Sequence, residues 1–517
     1  MRTSNVASKL VLLLQFLACA ADCLKTEVIM ISTVVRYGTT TFTPANTVIT
    51  KYGDQIVDPN SRPPSQMLTS TGKRQMYNFG QYLWTEYSQL FNRYPLTEAN
   101  TLIKTSAKQR TIEAAFSVVT GMLNNSASIP VPWNSEKVVP RFKGARQYPK
   151  SGGALPAGWN IFPIKSTSDE YDTLLNLNSK DVCPNKNQIL TEKQTKEINT
   201  YNPEKLRTSL TEIFTFYGIS LSGHDLTNTT YCFSAYLLIS SDYMNRKDAF
   251  YRPEGATAGI WTFVKNCYEA HIMTLYGSDT DLQMAGSPLA LALLGNITKT
   301  LNETIEPGYK VSTDSTTRLV LVSAQEKSIL PLLRILGLIN PDCVNRKYKE
   351  GTDNGGSLYM RCVEFPHPGS ALVIELHQAL DLPEQQSKKN QSKVLNITNY
   401  SGFYLKVRYN DEYYDIGDKK HPDKLMPFDY FNKTFVSAIN LDWKSDCGIE
   451  SSTLKPTSVG SWLLLLATTN VIMALAVLGL FAYLWRSRDK DTAPDRMSDM
   501  GSLGDLEDPL NNSNQFK

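Results

Sequence analysis

The stretch "VVRYGTTTF", residues 34–42, decides the fold of this 517-residue chain. The apolar run "EVIMISTVV", 27–35, leads into it and predicts a buried β-strand. That strand delivers Arg36 to a tight polar turn, which is where sheets of alternating strands and helices place their anion sites. The stretch therefore predicts an α/β fold with an anion site at Arg36, and it leaves the role of Tyr37 to be explained.

Two later units repeat this order of a strand followed by a polar turn. The run "TLIKTS", 101–106, precedes a helical segment, 107–123, in which apolar residues recur at spacings of three and four. The run "RLVLVSA", 318–324, precedes the helix-like segment 327–338. Alternating strands and helices predict an α/β sheet with a parallel portion. Two late strands are predicted at 370–378 and 403–414.

Each of these three strands is followed by polar residues. Arg36 ends the first, Arg110 lies in the first helical turn after the second, and Gln325-Glu326 follow the third. Ligands of such sheets bind at the carboxyl ends of the strands. We therefore expect these residues to converge in one pocket although they are far apart in sequence.

About a third of the chain separates the second unit from the third. Residues 130–190 are rich in Pro, Gly, Ser and Lys and predict loops. Helical patterns follow at 202–218 and around 260–277. The composition thus predicts a mostly helical cap, approximately 130–300, inserted into the sheet domain.

Both ends of the chain predict targeting segments. Residues 1–20 place basic residues before an apolar run and end in an A-x-A-like site, which is typical of a secretory signal peptide. Residues 461–485 carry no charge, and a helix of that length would reach roughly 37 Å, enough to cross a bilayer. The basic residues after it predict a type I topology, with an ectodomain, 24–455, in the lumen or outside and a disordered cytoplasmic tail, 486–517. The expected location is a membrane of the secretory pathway, either the cell surface or the lysosome and endosome.

The cysteines and sequons fit that compartment. Cys19 falls in the signal peptide and Cys23 is left over, whereas an even set of six predicts three disulfides: Cys183, Cys232, Cys267, Cys343, Cys362 and Cys447. No C-x-x-C spacing occurs among them, so neither zinc nor any other metal or cofactor is expected. Sequons predict N-glycosylation at Asn124, Asn228, Asn296, Asn302, Asn390, Asn396, Asn399 and Asn432.

The charge of the chain excludes one class of partner. The formal net charge is only +3, and the sequence has no basic stripe or aromatic platform of the kind that binds nucleic acid. The membrane is the expected partner, and the sequence leaves the oligomeric state open.

The motifs together resemble the histidine acid phosphatases, a branch of the histidine phosphatase superfamily. That family begins its first strand and turn with R-H-G-x-R-x-P, which aligns here with residues 36–42. Further stretches resemble family motifs in the same order: 68–87, 104–115, 181–185 and 371–378. The resemblance covers about 27–447 and implies a phosphoglycerate-mutase-like mixed central sheet flanked by helices, with an inserted helical cap.

The same resemblance implies that the catalytic set is incomplete. In the family, the first motif's histidine attacks phosphorus, three arginines clamp the phosphate, and a later H-D pair supplies the proton. Here Arg36 and Arg110 match two clamp arginines, but Tyr37 stands at the nucleophile position, Thr40 at the remaining arginine and Gln325-Glu326 at the H-D pair. Because the ordinary pKa of tyrosine is about 10, its hydroxyl stays protonated near neutral pH.

These replacements predict a pseudophosphatase that binds phosphate or other anionic ligands at Arg36 and Arg110. One alternative is an acid phosphatase with a non-standard site, in which Glu326 would be the general acid. A second alternative is a structural surface glycoprotein with a vestigial pocket, in which both arginines serve as partners of Glu326. The H-D dipeptide His224-Asp225 lies in the predicted cap and is a weak catalytic candidate.

The resemblance also bears on the disulfides. It implies that Cys183, in the cap, pairs with Cys447, near the predicted membrane stalk. The other four cysteines then have three possible pairings, of which the resemblance favours Cys232 with Cys343.

Overall fold

The computed structural model of the chain describes residues 25–40, 67–123, 162–185, 188–216, 225–245, 257–305, 315–351, 362–380 and 400–449. All of them belong to one contact unit, Met1–Ile449. The signal peptide, the transmembrane segment and the cytoplasmic tail stay predictions, because 1–20, 461–485 and 486–517 lie outside the described residues. None of the described helices is long and apolar enough to cross a bilayer.

The strands of the described residues form one mixed sheet. In chain order they are β1 (Thr26–Arg36), β2 (Thr101–Ser106), β3 (Ile164–Thr167), β4 (Leu319–Ala324), β5 (Ala371–Ala379), β6 (Phe403–Tyr409), β7 (Glu412–Tyr414) and β8 (Met426–Pro427). The sheet order is β3-β2-β4-β1-β5-β6-β7, and β8 pairs with β6. Strands β1 to β4 run parallel, whereas β5 and the strands beyond it pair antiparallel. The parallel portion that the sequence pattern predicted and the mixed central sheet that the resemblance implied are therefore both observed.

Helices flank this sheet. In the described part of the chain they are α1 (Ser70–Glu86), α2 (Ser88–Arg93), α3 (Gln109–Leu123), α4 (Gln188–Asn199), α5 (Pro203–Phe216), α6 (Thr230–Asn245), α7 (Thr257–Thr274), α8 (Asp279–Ile305), α9 (Glu326–Ile335), α10 (Pro341–Glu350), α11 (Phe428–Ser437) and α12 (Trp443–Asp446). Helices α4 to α8 fall in or just beyond the segment for which a helical cap was predicted.

The central strands are buried on both faces, which explains why their sequences are almost continuously apolar. Val34 and Val322 face a core that also contains residues of the cap helices. Val35 and Leu321 face a second core, which contains residues of α1, α2 and α3. Since successive side chains of a strand point to opposite faces, β1 and β4 contribute to both cores at once.

Helices α1 and α3 touch through their backbones. A methyl group added at Gly121 would lie 2.0 Å from the carbonyl oxygen of Tyr77, and one added at Gly80 would lie 2.0 Å from that of Val118. Two glycines are thus required for these helices to approach so closely. This contact fixes α3, and with it Arg110, against the sheet.

Two strands differ from the sequence expectation. Ile164–Thr167 forms an edge strand paired with β2, inside a segment whose composition predicted loops. Its last three residues are exposed, so it lacks the apolar alternation by which strands are recognised. The late strand predicted at 403–414 is divided into β6 and β7 by a turn, where Asn410 adopts a φ of 52°.

The sequons of the described residues lie close to helices. Asn228 precedes α6, Asn296 and Asn302 lie on α8, and Asn432 lies on α11. The side chain of Asn302 is exposed, whereas the other three are half-buried. The remaining sequons, at Asn124, Asn390, Asn396 and Asn399, lie outside the described residues, and glycosylation stays a prediction throughout.

Three disulfides join the described cysteines. Cys183 bonds Cys447, as the resemblance implied. The favoured pairing of Cys232 with Cys343 is wrong, because Cys232 on α6 bonds Cys267 on α7, and Cys343 bonds Cys362. The resemblance misled here because the disulfides depend on which helices of this chain pack together, and α6 and α7 lie side by side.

Loss of the Cys183–Cys447 disulfide should destabilise the protein more than loss of the Cys343–Cys362 disulfide. The two bonds close loops with sequence separations of 264 and 19, for which the chain-entropy relation gives about 5 and about 3 kcal/mol as upper values. Urea unfolding of the paired Cys→Ser variants measures the difference. Equal losses, or a free Cys183 thiol in peptide mapping, would contradict the expectation.

Candidate functional site

The four sequence-predicted positions come together at the carboxyl edge of the parallel strands. Arg36 is the last residue of β1, Arg110 lies in the first turn of α3, and Gln325 caps α9, which begins at Glu326. Arg36 Nη2 lies 3.3 Å from Glu326 Oε2. Arg110 Nη2 donates to Gln325 Oε1 over 3.0 Å. The two arginines therefore engage the two residues that the resemblance aligns with an H-D pair.

The ion pair of Arg36 and Glu326 is buried. The two side chains are 2% and 6% exposed, and Arg36 also donates to the carbonyl oxygen of Pro366. Burial alone would raise the pKa of Glu326, but Arg36, and after it Lys327, hold that pKa below its ordinary value of 4.5. The carboxyl group of Glu326 is therefore ionised at neutral and mildly acidic pH.

The ring of Tyr37 lies within contact distance of both guanidinium groups. Arg110 Cζ is 4.9 Å from the ring centroid and Arg36 Cζ is 5.6 Å from it, distances at which cations are attracted to aromatic rings. Burial raises the pKa of Tyr37, and Glu326 raises it further, while Arg36 and Arg110 offset only part of that rise. The hydroxyl group is therefore protonated across the physiological range.

The turn after Tyr37 is tied to the start of α1. The side chain of Gln75 accepts from the backbone N–H of Thr39 over 2.9 Å, and the carbonyl oxygen of Thr39 accepts from the N–H of Thr69 over 3.0 Å. Thr40, at the position of a clamp arginine, pairs with Leu68 through an isolated β-bridge. These bonds give the threonine-rich turn a structural role.

The segment that covers Arg36 was not predicted from the sequence. We call residues 364–370 the strap, because they lie across the end of β1 and lead into β5. The backbone N–H of Arg36 donates to Ser370 O over 2.8 Å, and Gly369 N–H donates to the carbonyl oxygen of Tyr37 over 3.2 Å.

The charges of this pocket are largely satisfied by the chain itself. Arg36 is neutralised by Glu326, and Arg110 is held by Gln325 and by the face of Tyr37. Within the described ranges there is no group of three or more His, Cys, Asp and Glu residues that could hold a metal ion. His224 lies outside those ranges, and Asp225 is exposed.

Comparison with known proteins assigns the family. The family model of the histidine phosphatase superfamily (branch 2) matches residues 19–410. The chain belongs to this superfamily. No curated protein sequence matches the chain.

Solved structures show the same fold at low sequence identity. The Bifidobacterium longum multiple inositol polyphosphate phosphatase in complex with inositol hexasulfate superposes with a TM-score of 0.50 at 11% identity, over 82% of this chain and 96% of that one. The Hafnia alvei phytase in complex with tartrate gives a TM-score of 0.46 at 13% identity, over 82% of this chain and 98% of that one. At these identities the similarity concerns the fold alone.

Proposed function

We propose that this protein is a pseudophosphatase: a single-pass type I membrane glycoprotein whose luminal or extracellular domain keeps the family's fold without hydrolysing phosphomonoesters. One observation carries the proposal. The phenol at the nucleophile position is protonated and lies beside two guanidinium groups that Glu326 and Gln325 already engage.

The covalent step lacks a nucleophile. Attack on phosphorus by Tyr37 would require the phenolate, but burial raises the pKa of this phenol. Its neighbours Arg36 and Arg110 are cations, and neither can accept the proton. In a serine protease, loss of the nucleophile costs about 10⁶-fold in turnover, and we expect a loss of that order here.

The leaving group also lacks a proton donor. The amide of Gln325 is not an acid, and it accepts a hydrogen bond from Arg110. Glu326 was the remaining candidate for a general acid, but Arg36 opposes the effect of burial and holds its pKa below 4.5. A carboxyl group that is ionised in a mildly acidic lumen has no proton to donate, which weighs against the alternative of a working acid phosphatase.

The pocket should attract anions only weakly. Arg36 and Arg110 provide two positive charges, but the carboxylate of Glu326 occupies the position beside Arg36 that an anion would need. Thr40 replaces the arginine that would supply a further pair of donors. The pocket therefore fits the vestigial alternative better than the sequence alone indicated. An anion would bind most tightly once Glu326 is protonated or replaced.

Restoring a single member of the catalytic set should recover almost no activity. Residues that act as a unit have non-additive effects, so Tyr37→His alone is expected to stay nearly inactive towards a small aryl phosphate. The combined variant Tyr37→His, Thr40→Arg, Gln325→His and Glu326→Asp should gain measurable turnover, because the backbone keeps the family's fold. Release of phosphate by the purified full chain from pH 4 to 8 is the measurement.

The native protein and Tyr37→Phe are the controls for that series. Neither is expected to hydrolyse the substrate above background. Native activity that Tyr37→Phe abolishes would make this tyrosine the nucleophile and would overturn the proposal. Native activity that survives in Tyr37→Phe would place the chemistry at another site.

The membrane and glycan parts of the proposal have their own test. They are supported by the signal-like residues 1–20, the uncharged segment 461–485 and the sequons. Synthesis in the presence of microsomes should give a product that shrinks on treatment with an N-glycosidase. Added protease should remove only a short tail from that product. Complete digestion by the protease would refute the type I topology.

A further inference from the structure

The strap fastens the relic site to the sheet by its backbone. Pro366 O accepts from the guanidinium of Arg36, and Ser370 O accepts from the backbone N–H of Arg36 over 2.8 Å. Gly369 N–H donates to Tyr37 O over 3.2 Å. Access to Arg36 from this side therefore depends on where the strap lies.

One side chain of the strap joins it to the cap helices. His367 Nδ1 lies 2.6 Å from the hydroxyl oxygen of Tyr236 on α6, and His367 Nε2 lies 3.3 Å from Glu269 Oε1 on α7. The side chain of His367 is 16% exposed and that of Glu269 only 3%. The Tyr236 ring also stacks on Tyr268, with centroids 4.0 Å apart, so the partners of His367 are themselves held in place.

The neutral imidazole suits both of its neighbours. With its proton on Nε2, His367 accepts at Nδ1 from the Tyr236 hydroxyl group, and its Nε2–H lies 3.3 Å from the Glu269 carboxylate without forming a well-directed hydrogen bond. Burial raises the pKa of Tyr236 to about 12, so this phenol keeps its proton and remains a donor. A second proton on the imidazole would occupy Nδ1 and oblige the Tyr236 hydroxyl group to turn away, because two donors cannot share the bond.

The charges around His367 oppose protonation as well. The carboxylate of Glu269 is the one strong attraction for a protonated imidazole. That carboxylate also interacts with Lys265 on the same helix, whose Nζ lies 4.0 Å from Glu269 Oε1. Lys265 Nζ also lies 3.3 Å from Glu364, the strap's own carboxylate, which is 3.7 Å from His367. The positive charge of the Arg36 guanidinium, at the end of β1, also opposes protonation of His367.

The outer side of His367 opens on a shallow groove. The groove has a volume of about 550 Å³, and its lining includes the charged side chains of Arg408 and Asp411 at the β6–β7 end of the sheet. Arg408 donates hydrogen bonds to the hydroxyl groups of two tyrosines of the α1 region.

The net effect of these surroundings is a lowered pKa for His367. Burial, and then Lys265 and Arg36, outweigh Glu269 and lower the pKa of His367 below its ordinary value of 6.5.

We propose that His367 is an acid-sensitive latch: the neutral imidazole fastens the strap to α6 and α7, and its protonation releases the strap and uncovers Arg36 and Tyr37. This inference concerns the regulation of access to the site and does not depend on whether the site is catalytic. A luminal domain would pass through the required change of pH on its way to an acidic compartment.

The sign of the pH dependence follows from the direction of the shift. Because the pKa of His367 is lower when the strap is closed than when it is open, the closed form binds fewer protons. The latch therefore holds fully above the ordinary pKa of 6.5 and weakens as the pH falls through the lower value of the closed form. Within that window the opening equilibrium should rise by up to about tenfold per pH unit.

Hydrogen exchange of the full chain tests the latch. Protection factors of strap peptides are measured at pH 7.5 and 5.0, after correction for the intrinsic exchange rate. We expect protection to fall with pH in the native protein and to become nearly independent of pH in His367→Gln, whose amide can still donate to Glu269. The matched control is His421→Gln, since His421 is similarly covered, with a side chain 13% exposed beside Asp415, and this variant should behave as the native protein does.

Two further variants keep the test decisive if His367→Gln fails to fold. His367→Lys carries a fixed charge and should open the strap already at pH 7.5. Glu269→Gln removes the one strong attraction for the protonated imidazole, lowers the pKa of His367 in the closed form further, and should therefore deepen the loss of protection at pH 5.0. A native strap with equal or greater protection at pH 5.0 would overturn the proposal, and so would a pH dependence that His367→Gln retains.

Discussion

Substitution of Glu326 by alanine is expected to lower the free energy of unfolding by about 3–5 kcal/mol, because it leaves a buried charge without its partner. The charge is that of Arg36, whose side chain is 2% exposed and lies 3.3 Å from the carboxylate. The matched control is Glu204→Ala. Glu204 also pairs with an arginine, but its side chain is 78% exposed, so its loss should change stability little.

Small anions should then restore the Glu326→Ala variant. Formate or phosphate at pH 7 is expected to raise its melting temperature more than that of the native protein, relative to chloride at equal ionic strength, because the anion takes the position of the lost carboxylate. The pKa of Glu326 is lower in the folded protein, so its contribution is complete above the ordinary value of 4.5 and is lost as the pH falls through the lower folded value. The native protein should therefore lose stability on acidification only below about pH 4.5. Phosphate should raise its melting temperature only in that same acidic range.

The possible outcomes separate the readings of the pocket. A loss of stability no larger than that of Glu204→Ala would show that the pair of Arg36 and Glu326 is not buried as described. A large loss with no rescue by either anion would show a vestigial pocket. Phosphate stabilisation of the native protein at pH 7 would show that the site binds anions despite Glu326.

Alanine at Gly121 is expected to cost about 3 kcal/mol or more, since overpacking against a backbone that cannot move aside is among the more damaging substitutions. The added methyl group would lie 2.0 Å from the carbonyl oxygen of Tyr77, so α1 and α3 would have to separate. Because both helices cover one face of the sheet and α3 carries Arg110, the ion and ring contacts of the site should loosen as well.

The matched control for Gly121→Ala is Gly295→Ala. Gly295 also lies inside a helix, α8, but a methyl group added there would meet no atom within 4 Å. Alanine at such a position usually gains about 0.5–1 kcal/mol. Chemical denaturation measures both variants, and a Gly121→Ala protein as stable as Gly295→Ala would show that the two helices do not touch.

The sequence predicted those parts of the fold that depend on local patterns. The strands β1 and β4 were recognisable because burial on both faces makes them largely apolar, and α3 because its apolar residues recur at helical spacing. Strand β2, in which only Leu102 and Ile103 are apolar, was recognisable from its place before that helix. Strand β3 was missed because an exposed edge strand of four residues has no such pattern. The pairing of Cys232 with Cys267 depends on helix packing and was equally inaccessible.

The site was predictable as a set of positions but not as a set of contacts. The ends of the parallel strands indicated Arg36, Arg110 and Glu326, because such sheets collect ligand groups at that edge. Which arginine pairs with which residue depends on side-chain directions that sequence spacing does not define. The strap was missed altogether, since His367 and its partner Tyr236 are 131 residues apart and neither stands in a recognisable motif.

The position of β1 in the sheet has a consequence for how the chain is made. Ile31 pairs with Leu319, and Val34 pairs with Leu372, so the first strand of the described residues finds its two neighbours, β4 and β5, only 288 and 338 residues further along the chain. At ribosomal rates of about 5–20 residues per second, β1 must wait on the order of 15–60 s for its first partner. During that interval an apolar strand with two unpaired edges is open to chaperones and to other chains. Productive folding of this protein therefore depends on how well β1 is protected from other chains until β4 and β5 have been synthesised.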